Sequence, residues 1–241
     1  MCTVTFIARK NDYALGMNRD EKLTRVAGLP PRQHDMNGRT ALCPAEPGGG
    51  TWIGLNDAGV CLALINWYSV RAAVAGPSVS RGDIVKSALP KDSPEAVEGF
   101  LRAAELTRVN PFRLIGVFPR SNEVCEWQWD LQQLRKLAHP WSTNTWSSSG
   151  FDEPGAQKTR GKVFANALRD ADAESREWLL RLHHSHAPER GAYSTCMHRD
   201  DAATVSYTEV EVNRDAGTMR YLAGPPCCEA FPSEFPLAIK P

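Results

Sequence analysis

The chain has 241 residues, with 28 basic side chains balanced by 28 acidic ones, so its formal net charge is zero. No basic excess or long basic block marks a surface for nucleic acid or an anionic membrane, and neither is expected as a partner. The length allows a substantial core, whereas the longest apolar run, Val60 to Ile65, falls far short of the ~20 residues of a membrane helix.

Cys2 directly follows Met1. Removal of Met1 is expected, because the next side chain is small. The mature first residue would then join a thiol to an α-amine that titrates at roughly pH 7.7–8.0. Nucleophile and base would sit on one residue. The opening stretch MCTVTFIARKND lacks the charged start and long apolar core of a secretory signal. Seven irregularly spaced cysteines argue against a disulfide framework. A soluble, cytoplasmic protein with reduced thiols is the expectation.

Thr3 to Ala8 alternates in the manner of a strand, Asn11-Asp12 has turn chemistry, and Tyr13 to Met17 reads as the return strand. That hairpin would bring Asp20 beside residue two. Residues 28–50, rich in proline and glycine, read as loop. Thr51 to Leu55 and Val60 to Ile65 read as a hairpin around Asn56-Asp57-Ala58-Gly59. Ser80 to Leu89 and Ser93 to Leu106 read as helices, the second opened by Ser93 as N-cap, then Pro94 and Glu95. Phe112 to Phe118 and Glu123 to Trp129 read as strands. A helical region spans Gln157 to His184 with a break near Asp170-Ala171-Asp172, and Ala203 to Val212 with Thr218 to Leu222 closes as a hairpin. Strands at both ends around clustered helices indicate an α+β layered fold.

Asp20 is the natural carboxylate to orient an N-terminal amine, although aspartate is also common as a loop stabiliser. Arg19 and Glu21 point away from it in an extended segment, which suits an ion pair or brace rather than catalysis. Asn66 ends an apolar strand, where its amide can donate to a developing oxyanion, worth ~3–4 kcal/mol when well placed. Trp67 adjoins it. Trp141 and Trp146 flank Asn144 and suit either an acyl pocket or the core. His183, His184 and His186 with Cys196, His198, Cys227 and Cys228 invite a metal reading. They lack paired Cys-x-x-Cys spacing, and histidines ending a helix suit its dipole, so neither metal nor cofactor is expected. Gly48-Gly49-Gly50-Thr51 lacks the lysine of a phosphate loop and suggests loop flexibility or close backbone approach instead.

The Met-Cys start, Asn18-Arg19-Asp20-Glu21 and Gly49-Gly50-Thr51-Trp52-Ile53-Gly54, in that order, resemble the NRDE family. Its eukaryotic members are transport-and-Golgi-organisation proteins implicated in haem or lipid handling. The family is similar to N-terminal-nucleophile hydrolases such as penicillin V acylase and bile salt hydrolase. The resemblance implies one domain over residues 1–241, built as a four-layer αββα sandwich. It implies Cys2 as nucleophile, Asp20 as its partner, Asn66 and Asn144 as oxyanion or amine-holding amides, and Arg199 as a brace. Met17 stands where the hydrolases carry an arginine, which removes a charge that would lower the thiol pKa. The implied activity is hydrolysis of a linear non-peptide amide, an N-acyl amine, through a thioester. The other reading is a carrier of haem, lipid or an acyl chain without turnover. Either way the partner is an apolar or amide small molecule, and a homo-oligomer stays open.

Overall fold

The opening hairpin shows how one alternation builds two faces. In the computed structural model, which describes residues 2–10, 12–36, 38–228 and 232–240, β1 (Cys2–Ala8) and β2 (Tyr13–Lys22) pair antiparallel. Cys2, Val4 and Phe6 face one core together with Tyr13, Leu15 and Met17, while Ile7 and Ala14 face another. Met1 and the turn residues Asn11 and Asn37 lie outside the described residues.

β2 pairs onward with β11 (Ala202–Val212), which leads to β12 (Ala216–Ala223) and β13 (Ser233–Ala238), and β10 (Asn144–Ser148) joins the other side of β1. The second sheet is a meander in chain order. It comprises β3 (Leu29–Met36), β4 (Arg39–Ala45), β5 (Ile53–Asn56), β6 (Cys61–Asn66), β7 (Phe112–Phe118), β8 (Glu123–Trp129) and β9 (Leu134–His139). Helices α1 (Arg81–Ala88) and α2 (Pro94–Ala103) pack on this meander, and α3 (Glu153–Ala167) and α4 (Arg176–His184) pack on the first sheet. One core lies between the sheets, a second under α1 and α2, and a third under α4. The expected αββα layering is present. No helix among the described residues is long and apolar enough to cross a membrane.

Several expectations need correction. Residues 28–50 are not loop but largely β3 and β4. Pro30 and Pro31 fit because β3 is an edge strand and they occupy a register shift between Leu29 and Arg32, where a missing N–H breaks no ladder bond. The break expected near residues 170–172 is present, between two helices each begun by its own cap: Asp152 accepts from the Gly155 N–H, and Ser175 from the Trp178 N–H. β9, β10 and β13 carried too few apolar residues to be read. β10, with sequence Asn-Thr-Trp-Ser-Ser, ends in buried serines. Gly16 lets α4 lie directly on β2, since a Cβ there would come 3.0 Å from His183 Nε2 and 3.1 Å from Leu179 Cδ1.

Candidate active site

Strand register puts Cys2 between Arg19 on β2 and Ser148 on β10. The Cys2 nitrogen donates to Ser148 Oγ at 3.1 Å. The thiol borders a cavity of about 340 Å³, whose other walls include Arg19, Trp52, Asn66, Arg81 and Gly82. Burial raises the thiol above its ordinary pKa and the Asp20 carboxylate adds to that, while the Asp20 backbone N–H and the Arg19 guanidinium pull it down. Met17, two residues earlier on the same face as Arg19, is fully buried in the core.

Arg19 is held in place on three sides. Its guanidinium stacks 4.3 Å from the Trp52 ring centroid, donates to Glu46 at 2.8 Å and lies 3.5 Å from Glu21. Arg25 completes the network by bridging Glu21 at 2.8 Å and Glu46 at 2.9 Å. The expected brace exists, and it also forms a charged cavity wall. Opposite it, the Gly-Gly-Thr stretch meets the start of α1: the Thr51 N–H donates to Gly82 O at 3.2 Å, and a Cβ on Gly82 would come 2.9 Å from the Thr51 nitrogen.

Asp20 borders the cavity but is 1% exposed and points toward the helices. Thr204 Oγ1 donates to its Oδ1 at 2.7 Å, and Arg160 Nη2 to its Oδ2 at 3.3 Å. Arg160, from α3, also donates to Thr3 Oγ1 at 2.8 Å. A register shift between Thr204 and Ser206 opposite this point turns Thr204 onto the carboxylate.

Cys2, Asp20 and Asn66 therefore meet at one cavity, with Asn66 Nδ2 donating to Tyr68 Oη at 2.8 Å. The other expected residues lie elsewhere. Asn144 pairs with Phe6, four positions along β1 from Cys2 or about 13 Å at strand rise. Its place beside Cys2 is taken by Ser148. Arg199 precedes β11, pairs with Asp201 at 2.8 Å and stacks on Phe151 at 4.8 Å, outside this cavity. The buried arginine that braces the site is Arg160. Trp67, Trp141 and Trp146 do not line the cavity either. Trp146 is core and donates to Glu126 at 3.1 Å, and Trp141 donates to Arg9 O at 3.0 Å. The cavity's indole is Trp52, which sits in the Gly-Gly-Thr-Trp motif itself.

The same layering is found in two solved structures of low sequence identity. Penicillin V acylase from Agrobacterium tumefaciens superposes with a TM-score of 0.56 at 10% identity, over 99% of this chain and 86% of that one. The C2A mutant of conjugated bile acid hydrolase from Clostridium perfringens superposes with a TM-score of 0.60 at 11% identity, over 99% and 92%. The chain belongs to the Transport and Golgi organisation 2 family, whose model matches residues 1–213. No curated protein matches it in sequence.

Proposed function

We propose that this protein, once Met1 is removed, is an N-terminal-cysteine amidohydrolase acting on a linear non-peptide amide of the N-acyl amine class. The observation that carries the reading is the meeting of Cys2, Asn66 and the Arg19 guanidinium at one cavity, with the Cys2 nitrogen already held by Ser148. The Cys2 sulfur attacks the amide carbon and its proton passes to the α-amine of the same residue. Asn66 Nδ2 donates to the oxyanion. The amine then protonates the leaving nitrogen, the C–N bond breaks and a thioester remains. Water adds to the thioester, the C–S bond breaks, and the acid leaves with the thiol restored. Asp20, fixed by Arg160 and Thr204, orients the amine. Charged walls from Arg19, Arg25, Glu21 and Glu46 suit an amide flanked by polar groups better than a bare acyl chain. By name, the two similar structures are an acylase and a hydrolase of conjugates.

The burial that raises the Cys2 thiol is the feature favouring a carrier without turnover. One experiment separates the readings: turnover of an N-acyl amine panel by processed protein, by Cys2→Ala, and by a form with Met1 blocked from removal. Intact mass checks the terminus of each. The hydrolase is expected to lose turnover in both altered forms. Equal turnover in Cys2→Ala would sink the mechanism, and equal ligand binding by all three forms with no turnover would establish the carrier.

A further inference from the structure

Away from the Cys2 cavity, three chain segments converge on one point. His186 follows the end of α4, Cys196 and His198 lie on the chain leading into β11, and Cys227 sits in the turn after β12. One ligand atom from each lies within 4.8 Å of the others. His198 Nε2 is 3.5 Å from Cys196 Sγ and 3.4 Å from Cys227 Sγ. A tetrahedral ion with Zn–S of ~2.3 Å and Zn–N of ~2.0 Å sets sulfur and nitrogen ~3.5 Å apart, so the two spacings already match. Among the described residues, buried His186 Nε2 has no hydrogen-bond partner, its ring edge-on to His198 at 5.1 Å between centroids. An orphaned ring nitrogen beside two thiols is the donor set a thiophilic cation takes.

We propose that His186, Cys196, His198 and Cys227 form a closed structural site for zinc or a similarly thiophilic divalent cation. Loading releases a proton from each thiol. It also places the His198 proton on Nδ1, so Arg190, which now donates there at 3.3 Å, turns outward into the solvent that already surrounds it. The site sits directly behind the Asn-Arg-Asp-Glu strand. Met197, between two of the ligands, donates its N–H to Thr204 Oγ1 at 2.8 Å, the same hydroxyl that holds Asp20. Thr195 O accepts from Asn18 Nδ2 at 2.9 Å. The ion would thereby staple three segments and fix the groups that position Asp20. Spacing rules set it aside because its two cysteines, Cys196 and Cys227, lie far apart in the chain and lack Cys-x-x-Cys spacing.

The test is metal content of reduced protein from zinc-supplemented medium, followed by Co(II) titration of the metal-free chain. Expected are one zinc per chain and the visible bands and thiolate charge-transfer absorption of tetrahedral Co(II). Cys227→Ser and His186→Gln, both outside the hydrophobic cores, should weaken zinc by at least the ~100-fold that a lost outer partner can cost, with circular dichroism unchanged. Cys228→Ser, at the exposed neighbour, should bind as the parent does. Substoichiometric zinc with no Co(II) bands in folded, reduced protein would overturn the proposal. So would a Cys196–Cys227 disulfide in protein isolated without oxidant, or Co(II) spectra untouched by both ligand variants. If a variant fails to fold, the parent chain's metal content and Co(II) spectrum decide alone.

Discussion

The two ends of β1 have opposite characters. At Cys2 the strand meets Arg19, Ser148 and a charged cavity. At Phe6 it meets a sealed aromatic cluster, with Trp141 edge-on at 5.1 Å and Tyr13 tilted at 6.1 Å, its hydroxyl donating to Gly59 O at 2.8 Å. Asn144 and Trp141 belong to the second end. Family resemblance had assigned both ends to one site, but four strand residues separate them. Chemistry collects where the strand begins, and packing where it finishes.

The sharpest way to break this contrast is at Arg160, since Arg160 and Asp20 are both almost wholly buried. Arg160→Met removes the guanidinium from a buried carboxylate and should cost about 3–5 kcal/mol in denaturant unfolding, lowering turnover in the molecules that stay folded. Next comes the amide pair. Asn66→Ala should reduce kcat by about 10²–10³-fold, equivalent to about 3 kcal/mol, with KM less affected.

Between the two ends stands Glu126, which accepts from Arg113 at 2.6 Å, His139 at 2.9 Å and Trp146 at 3.1 Å. Burial alone would raise its pKa, but His139, Arg113 and Gln128 bring it from 4.5 to about 2. A depressed carboxylate stabilises the fold above its unfolded pKa and loses that contribution as pH falls through the folded one. Unfolding free energy should therefore drop by up to about 3 kcal/mol between pH 4.5 and 2, and Glu126→Gln should flatten that slope. The smallest effect belongs to Asn144→Ala, whose Oδ1 accepts from the adjacent Thr145 N–H at 2.8 Å. It should leave kcat unchanged and stability within about 0.5 kcal/mol. A kcat loss there matching that at Asn66 would abolish the distinction between the ends.

Legibility followed locality. The hairpins of the central strands could be read because alternation and turn residues act over a few positions, and Cys2, Asp20 and Asn66 lay inside short motifs. Arg160 carried no such mark: an arginine within a helical stretch reads as solvent-facing until β1 and β2 are placed against it. Trp52 was overlooked in favour of tryptophans beside Asn144, because aromatic count says nothing about which strand end opens to a cavity. The edge strand β3 was hidden by its own prolines, which mark loop everywhere except at a sheet boundary.

One consequence remains in the phase of β2. Asn18 and Asp20 reach toward the helices while Arg19 faces the space between the sheets. Deleting a single residue between Tyr13 and Arg19 would exchange these directions. The Arg19 guanidinium would enter the place of Asn18, against the His183 and Thr195 carbonyls, and the Asp20 carboxylate would replace it beside the thiol. This strand can therefore vary in spelling far more readily than in length. Lineages that alter the motif should do so by substitution, with the residue count from the turn to Asp20 held constant.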